Sequence, residues 1–157
     1  MNFSEKMIEL QNDLARARGE HFKLVWLVGG SSSERTDLSR ALSEAEDGVF
    51  VALGKKLSGA LLEVPIPLRT AAVEECFTEC LATSRGQVTC IDNLEILFES
   101  SLKINPVSLI KGKSRHRLIV ASWPGTHEHG HLVFAPSDHP AHTKIAEGDL
   151  ESLIHSL

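Results

Sequence analysis

The chain has 157 residues with 16 Lys and Arg against 21 Asp and Glu, a net charge of -5 with histidine neutral. That balance excludes a uniformly basic coat for nucleic acid and leaves only local basic patches. This length fits one domain, buries about 68–70% of the unfolded surface and leaves no room for a second catalytic domain.

In chain order, the opening "MNFSEKMIELQNDLARARGE" is charged throughout and lacks the apolar core of a signal peptide. No window approaches the roughly 18 consecutive apolar residues of a membrane span, so a soluble, cytoplasmic protein without membrane contact is expected. Met7, Leu10 and Leu14 recur at helical spacing and predict an amphipathic helix within residues 1–22, packed on a domain covering 23–157. Apolar runs follow at "KLVWLV", "VFVAL", "VTCID", "RLIVASW" and "LVFA". The first four lack the polar alternation of a half-exposed sheet and predict buried parallel strands. Helices are expected at Thr36 to Glu46, Lys55 to Glu63, Thr70 to Ser84, Leu94 to Phe98 and Pro106 to Lys111. Strands alternating with helices imply an α/β fold: a mainly parallel, five-stranded sheet covered on both faces. The strand before Gly29 is expected at its centre, with the Asp92 strand reached across one neighbour. Cys76, Cys80 and Cys90 are odd in number without CxxC spacing, which predicts free thiols in a reducing compartment.

Gly29 to Thr36, in "LVWLVGGSSSERTDLSRAL", stands between a buried strand and a helix. It fits a GxxxxGK[ST] phosphate loop in part, with the first glycine and the threonine present and the second glycine and the lysine absent. Gly29 and Gly30 permit tight curvature, Ser31, Ser32 and Ser33 are small enough to expose backbone N–H groups, and Thr36 offers a hydroxyl to a phosphate-bound magnesium ion. Arg35 keeps the positive charge, whereas Glu34 sets a carboxylate beside the phosphates. A serine-capped helix explains the same residues, with Ser33 as cap and Glu34 and Asp37 favouring the dipole. The strand "VTCID" ends in Asp92, where an acid holds magnesium opposite the loop threonine. Asn93 follows it and Glu95 lies three positions on, the candidates for orienting an attacking water. Simple capping of the helix at Leu94 is the other account of Asp92 and Asn93.

Four segments, "LVGGSSSERTDL", "KLSGALLEVPIPLR", "IDNLEILFESSLKINPVSLIKGKSRHRLIVASWPG" and "LVFAPSDHPAH", together resemble the BrxF family, the small P-loop protein of type III BREX bacteriophage-defence systems. The resemblance runs from about Lys23 to about His142 and is most specific in "DNLEILF" and "ASWPG". It implies a three-layer P-loop NTPase-like fold without a lid domain. It also implies a bacterial, cytoplasmic ATPase that uses ATP and Mg2+ beside other BREX proteins, which mark host DNA and block phage replication. The family loop has the form GxxGxGKT, from which Ser32, Glu34 and Arg35 depart. With Asn93, that departure predicts weak or absent turnover by the isolated chain. An adaptor that keeps the fold without nucleotide, or a DNA-contacting subunit, is the competing class.

Ser122, at the end of "RLIVASW", falls where the related ATPases place a polar group that senses the terminal phosphate; a local backbone bond is the plainer role. Lys111, Lys113, Arg115 and Arg117 form a basic cluster, read either as a solvated turn or as a contact to DNA phosphates or to a neighbouring copy's nucleotide site. The cluster is expected close to the nucleotide edge. Self-association or binding to larger BREX proteins would then complete the site. His127, His129 and His131 alternate, as metal ligands on one strand face would, but Gly130 and the polar surroundings also describe a hairpin tip. Arg69 after "VPIPL" resembles a recurrent family arginine, with structural pairing as its default role.

Overall fold

The computed structural model describes residues 2–81 and 88–157. Among these the chain runs α1 (Phe3–Ala17), β1 (Leu24–Val28), α2 (Ser32–Ala45), β2 (Val49–Ala52), α3 (Leu53–Leu62), α4 (Arg69–Leu81), β3 (Thr89–Asp92), α5 (Pro106–Ser114), β4 (Ile119–Ser122), β5 (Thr126–Glu128), β6 (His131–Phe134), β7 (Thr143–Ala146), α6 (Glu147–Leu150) and β8 (Leu153–Ser156). Short 3-10 turns cover Ile66–Leu68, Leu94–Phe98 and Ser100–Leu102. The last residues of the helix expected to reach Ser84 lie outside the described residues.

Five strands form one all-parallel sheet in the order β2-β3-β4-β1-β8. Side chains alternate across it with the two-residue period of a strand. Leu24, Trp26 and Val28 of β1 join one core with Leu57 of α3, Phe77 of α4 and Ile110 of α5. Val25 and Leu27 join the other with Leu10 and Leu14 of α1 and Leu38 and Leu42 of α2. Helices therefore cover both faces, which is why "KLVWLV" reads as a continuous apolar run. At the head of α1 a capping box closes the first turn: Asn2 Oδ1 accepts the Glu5 N–H at 2.9 Å, and Glu5 accepts the Asn2 N–H at 3.2 Å.

The sheet departs from the sequence expectation in two places. β4, not β1, is central, because β8 adds outside β1. The run "LVFA" is no member of this sheet: β6 pairs antiparallel with β5 and β7 in a separate three-stranded sheet, and β8 supplies the fifth parallel strand. An aromatic chain joins the two sheets. Trp123 meets Trp26 edge-on at 5.5 Å between ring centroids and Phe98 at 5.4 Å, and Phe98 lies 4.5 Å from Phe134. The Trp123 Nε1–H donates to Val133 O at 3.1 Å. Gly125 lets the small sheet close on this join, since a Cβ there would stand 1.9 Å from Val133 O. The Trp and Gly of "ASWPG" are thus accounted for by packing. Among the described residues no helix is long and apolar enough to cross a membrane.

Candidate functional site

In a parallel sheet ligands gather beyond the carboxyl ends of the strands. The turn after β1 and the end of β3 share that edge. Cys90 pairs with Val120 in register, and Ser122 pairs with Leu27. Cys90, Val120 and Leu27 all belong to the core under α1 and α2. Two residues beyond Cys90 and Val120, Asp92 and Ser122 point to the same face, toward α2. There the Thr36 hydroxyl donates a hydrogen bond to Asp92 Oδ2, while Oδ1 accepts the Asn93 N–H at 3.0 Å. Asp92 is buried. Among the described residues the hydroxyls of Ser122, 3% exposed, and of Ser39 on α2 meet no hydrogen-bond partner. An orphan buried hydroxyl is costly, so this corner holds polar capacity that the fold does not use. The oxygen donors of Thr36 and Asp92 suit a hard cation such as Mg2+.

The turn itself is built differently from a phosphate cradle. Gly29 and Gly30 adopt φ of 81° and 60°, a region open to glycine. α2 then begins at Ser32, earlier than the expected Thr36, because Ser31 rather than Ser33 is its cap: Ser31 Oγ accepts the Glu34 N–H at 3.1 Å. The Arg35 N–H bonds Ser31 O at 3.1 Å as the first helical bond. Ser32 to Thr36 are consequently helical, and only Gly29 to Ser31 form the turn.

Side chains of the chain itself fill its mouth. The Glu34 carboxyl group folds back to 3.2 Å from the position a Cβ on Gly30 would take, and Lys6 of α1 donates a hydrogen bond to it. That bond holds the Glu34 carboxyl below its ordinary value of 4.5, with further help from the charges of Lys6 and Arg35 and the Ser31 cap. A carboxylate at the first turn of α2 also suits the helix dipole. Arg35, 9% exposed, donates from Nη1 to Gly29 O at 2.7 Å and reaches Gly30 O at 3.4 Å. Leu157 packs on the outer side, with its O and Cβ at 3.2 and 3.3 Å from the Cβ positions of Gly29 and Gly30. In this conformation the turn does not fit a triphosphate.

The other candidates separate from this corner. Asn93 stands in left-handed backbone at φ 59°, exposed and making no side-chain cap. Glu95 is exposed and lines a groove with Leu61 and Leu62 of α3. The basic cluster lies on the opposite edge of the sheet from the turn, correcting the expected proximity: Lys111 to Arg117 precede β4, and all five strands run the same way. Three of its members are tied to their own surroundings. Lys111 pairs with Glu151 at 2.8 Å and Lys113 with Glu74 at 3.5 Å, and Arg117 donates to Leu81 O. Arg115 is exposed. Arg69 donates from Nε to Val64 O at 2.9 Å. The histidines belong to the β5–β6 hairpin, whose turn residues His129 and Gly130 have φ of 51° and 74°, the signs of a type I′ turn. His127 contacts Glu147, and His131 Nδ1 lies 2.9 Å from His129 O. Among the described residues no group of three or more His, Cys, Asp or Glu is placed to hold a metal.

Two features escaped sequence reading. His155 of β8, buried, has Nδ1 at 2.7 Å from Asp13 Oδ2 and ties the last strand to α1. Lys6 reaches the Gly30 turn from the opening helix, and nothing in the spacing of residues 6 and 34 signals it. No family model matches the chain, and neither a curated protein nor a solved structure is found similar to it.

Proposed function

We propose that the chain is a BREX phage-defence component of the BrxF kind, a P-loop-type protein of the bacterial cytoplasm that regulates or assembles with larger BREX proteins. One observation carries the reading: Thr36 and Asp92, which the sequence offers as the two magnesium ligands of a nucleotide site, come from different elements 56 positions apart and meet in a hydrogen bond at one sheet edge. Ser122, whose hydroxyl on the same face has no partner among the described residues, supplies a further polar group there. When ATP is held, Mg2+ would neutralise phosphate charge at Thr36 and Asp92. The chain's own task is then to give up the contacts of Glu34 and Arg35, so that the turn takes phosphate. The isolated chain accordingly binds nucleotide weakly and turns it over slowly or not at all, and a partner completes the site.

An adaptor that never binds nucleotide is the second reading, favoured by Glu34 standing over Gly30. A DNA-contact role draws less support, because Lys111, Lys113 and Arg117 are engaged within the fold. The test is affinity purification of the tagged chain from cells expressing the other BREX proteins, with and without Mg-ATP. Capture of a BREX protein that changes with ATP and is lost in Asp92→Ala supports the nucleotide-responsive reading; capture indifferent to both supports the adaptor. A chain that captures none defeats the proposal.

A further inference from the structure

The 3-10 segment after β3 makes a ridge between two hollows. Glu95 and Glu99 line both. On one side a hollow of about 420 Å³ is walled by Leu61, Leu62 and Ile96; on the other, one of about 350 Å³ is walled by Phe98, Phe134 and Pro140. Leu62, which lines the first, is 73% exposed, and the turn that follows α3 carries two more exposed large apolar side chains, Ile66 at 74% and Leu68 at 57%. Such a cluster on a small domain marks an interaction surface more often than chance. Both ridge carboxylates are exposed, and among the described residues neither is in an ion pair. Arg69, which shares the first hollow, donates to Val64 O instead.

We infer that this ridge and its two hollows are a docking surface for a basic segment of another protein, one that carries two apolar anchor side chains with Lys or Arg between them. Each hollow takes one anchor, and the cations between the anchors meet Glu95 and Glu99. The charge pattern selects the occupant: an acidic or neutral segment would leave two carboxylates desolvated and unpaired, which opposes binding. The surface lies on the carboxyl edge of the sheet, following directly from Asp92, so an occupant there would stand beside the Thr36–Asp92 corner. That there is a partner rests on the assembly reading above; where and by what chemistry it docks rests on these hollows.

The test uses fluorescence anisotropy of a labelled synthetic 14-residue peptide with two Leu anchors flanking three Arg, against the full chain. Saturable binding is expected. Glu95→Gln with Glu99→Gln should weaken it about tenfold at low salt and flatten its salt dependence. Leu62→Ser with Ile66→Ser should abolish it, and the same peptide with Glu in place of Arg should not bind. These side chains are exposed, so circular dichroism and the urea midpoint should stay as in the native chain. Equal affinity of the native and Gln forms, or of the native and Ser forms, overturns the inference. Co-purification with BREX proteins separates it from the assembly reading. A Ser variant that still captures its partner overturns the docking site and leaves assembly standing. Peptide binding by a native chain that captures no BREX protein upholds the surface and defeats that reading. A native chain that self-associates until Leu62 and Ile66 are changed would make a second copy the occupant and overturn the basic-segment assignment.

Discussion

Thr36→Val removes one hydroxyl and keeps the branched shape, so its effect isolates the bond to Asp92. A hydrogen bond to a charged group contributes about 1.5–3 kcal/mol. Asp92 Oδ1 keeps the Asn93 N–H at 3.0 Å, so the buried carboxylate is not wholly stranded. We therefore expect about 2 kcal/mol, within the range of single hydrogen bonds to charged groups. With a urea dependence near 2 kcal/mol/M for a small domain, the midpoint should fall by about 1 M. Asp92→Ala should cost at least as much. The double substitution should cost less than the sum by about 1–2 kcal/mol, since both single changes remove the same bond. Equilibrium urea unfolding followed by tryptophan fluorescence reads this directly, because Trp26 and Trp123 are both fully buried. A shift below about 0.2 M, or additive single effects, would refute the contact on which the site is built.

Gly125→Ala forces a Cβ toward Val133 O and should destabilise by about 1–3 kcal/mol in the same assay; an unchanged midpoint would mean that the hairpin does not close on Trp123 as described. Burial pushes the Cys90 thiol up to about 12 and raises those of Cys76 and Cys80. All three should therefore resist a disulfide reagent at pH 8 until urea unfolds the chain, and prompt labelling of native protein would contradict their burial. The Glu34 carboxyl is lowered chiefly by Lys6, so its contact with α1 adds stability above the ordinary carboxyl value of 4.5 and loses it as pH falls through the lowered one. NMR titration of the Glu34 side chain should show this low midpoint, and Lys6→Met should return it toward 4.5; a midpoint unmoved by that change would refute the pairing.

Much of the layered core was legible because it is written in local periodicity. "KLVWLV" and "RLIVASW" are apolar on both faces since helices cover both, and Met7, Leu10 and Leu14 mark the buried stripe of α1. Thr36 and Asp92 are legible as a pair because Asp92 ends a buried strand and Thr36 stands at the threonine position of the phosphate-loop spacing that follows another. What stayed hidden is long-range. "LIHS" of β8 is short and carries a buried histidine whose partner, Asp13, lies on α1, so nothing local distinguishes it from a polar tail. "LVFA" has the composition of a core strand, yet its neighbours in space are the exposed strand β5 and the half-buried strand β7. The start of α2 is not set by residue type, because Ser31, Ser32 and Ser33 are equally good caps and only the backbone geometry after Gly30 chooses Ser31. The edge of the basic cluster follows from strand direction, which a motif read by itself does not carry.

The central claim is that Glu34 and Arg35 close the turn that would otherwise take phosphate. An equilibrium titration of a fluorescent ATP analogue with Mg2+ into the isolated chain, beside Glu34→Gly combined with Arg35→Lys, tests it most directly. The native chain should show no saturation below about 1 mM, a binding free energy weaker than roughly 4 kcal/mol, and the double substitution should bind at least about tenfold more tightly. Micromolar binding by the native chain that the double substitution abolishes would contradict the account, making Glu34 and Arg35 ligands of the nucleotide rather than the groups that exclude it.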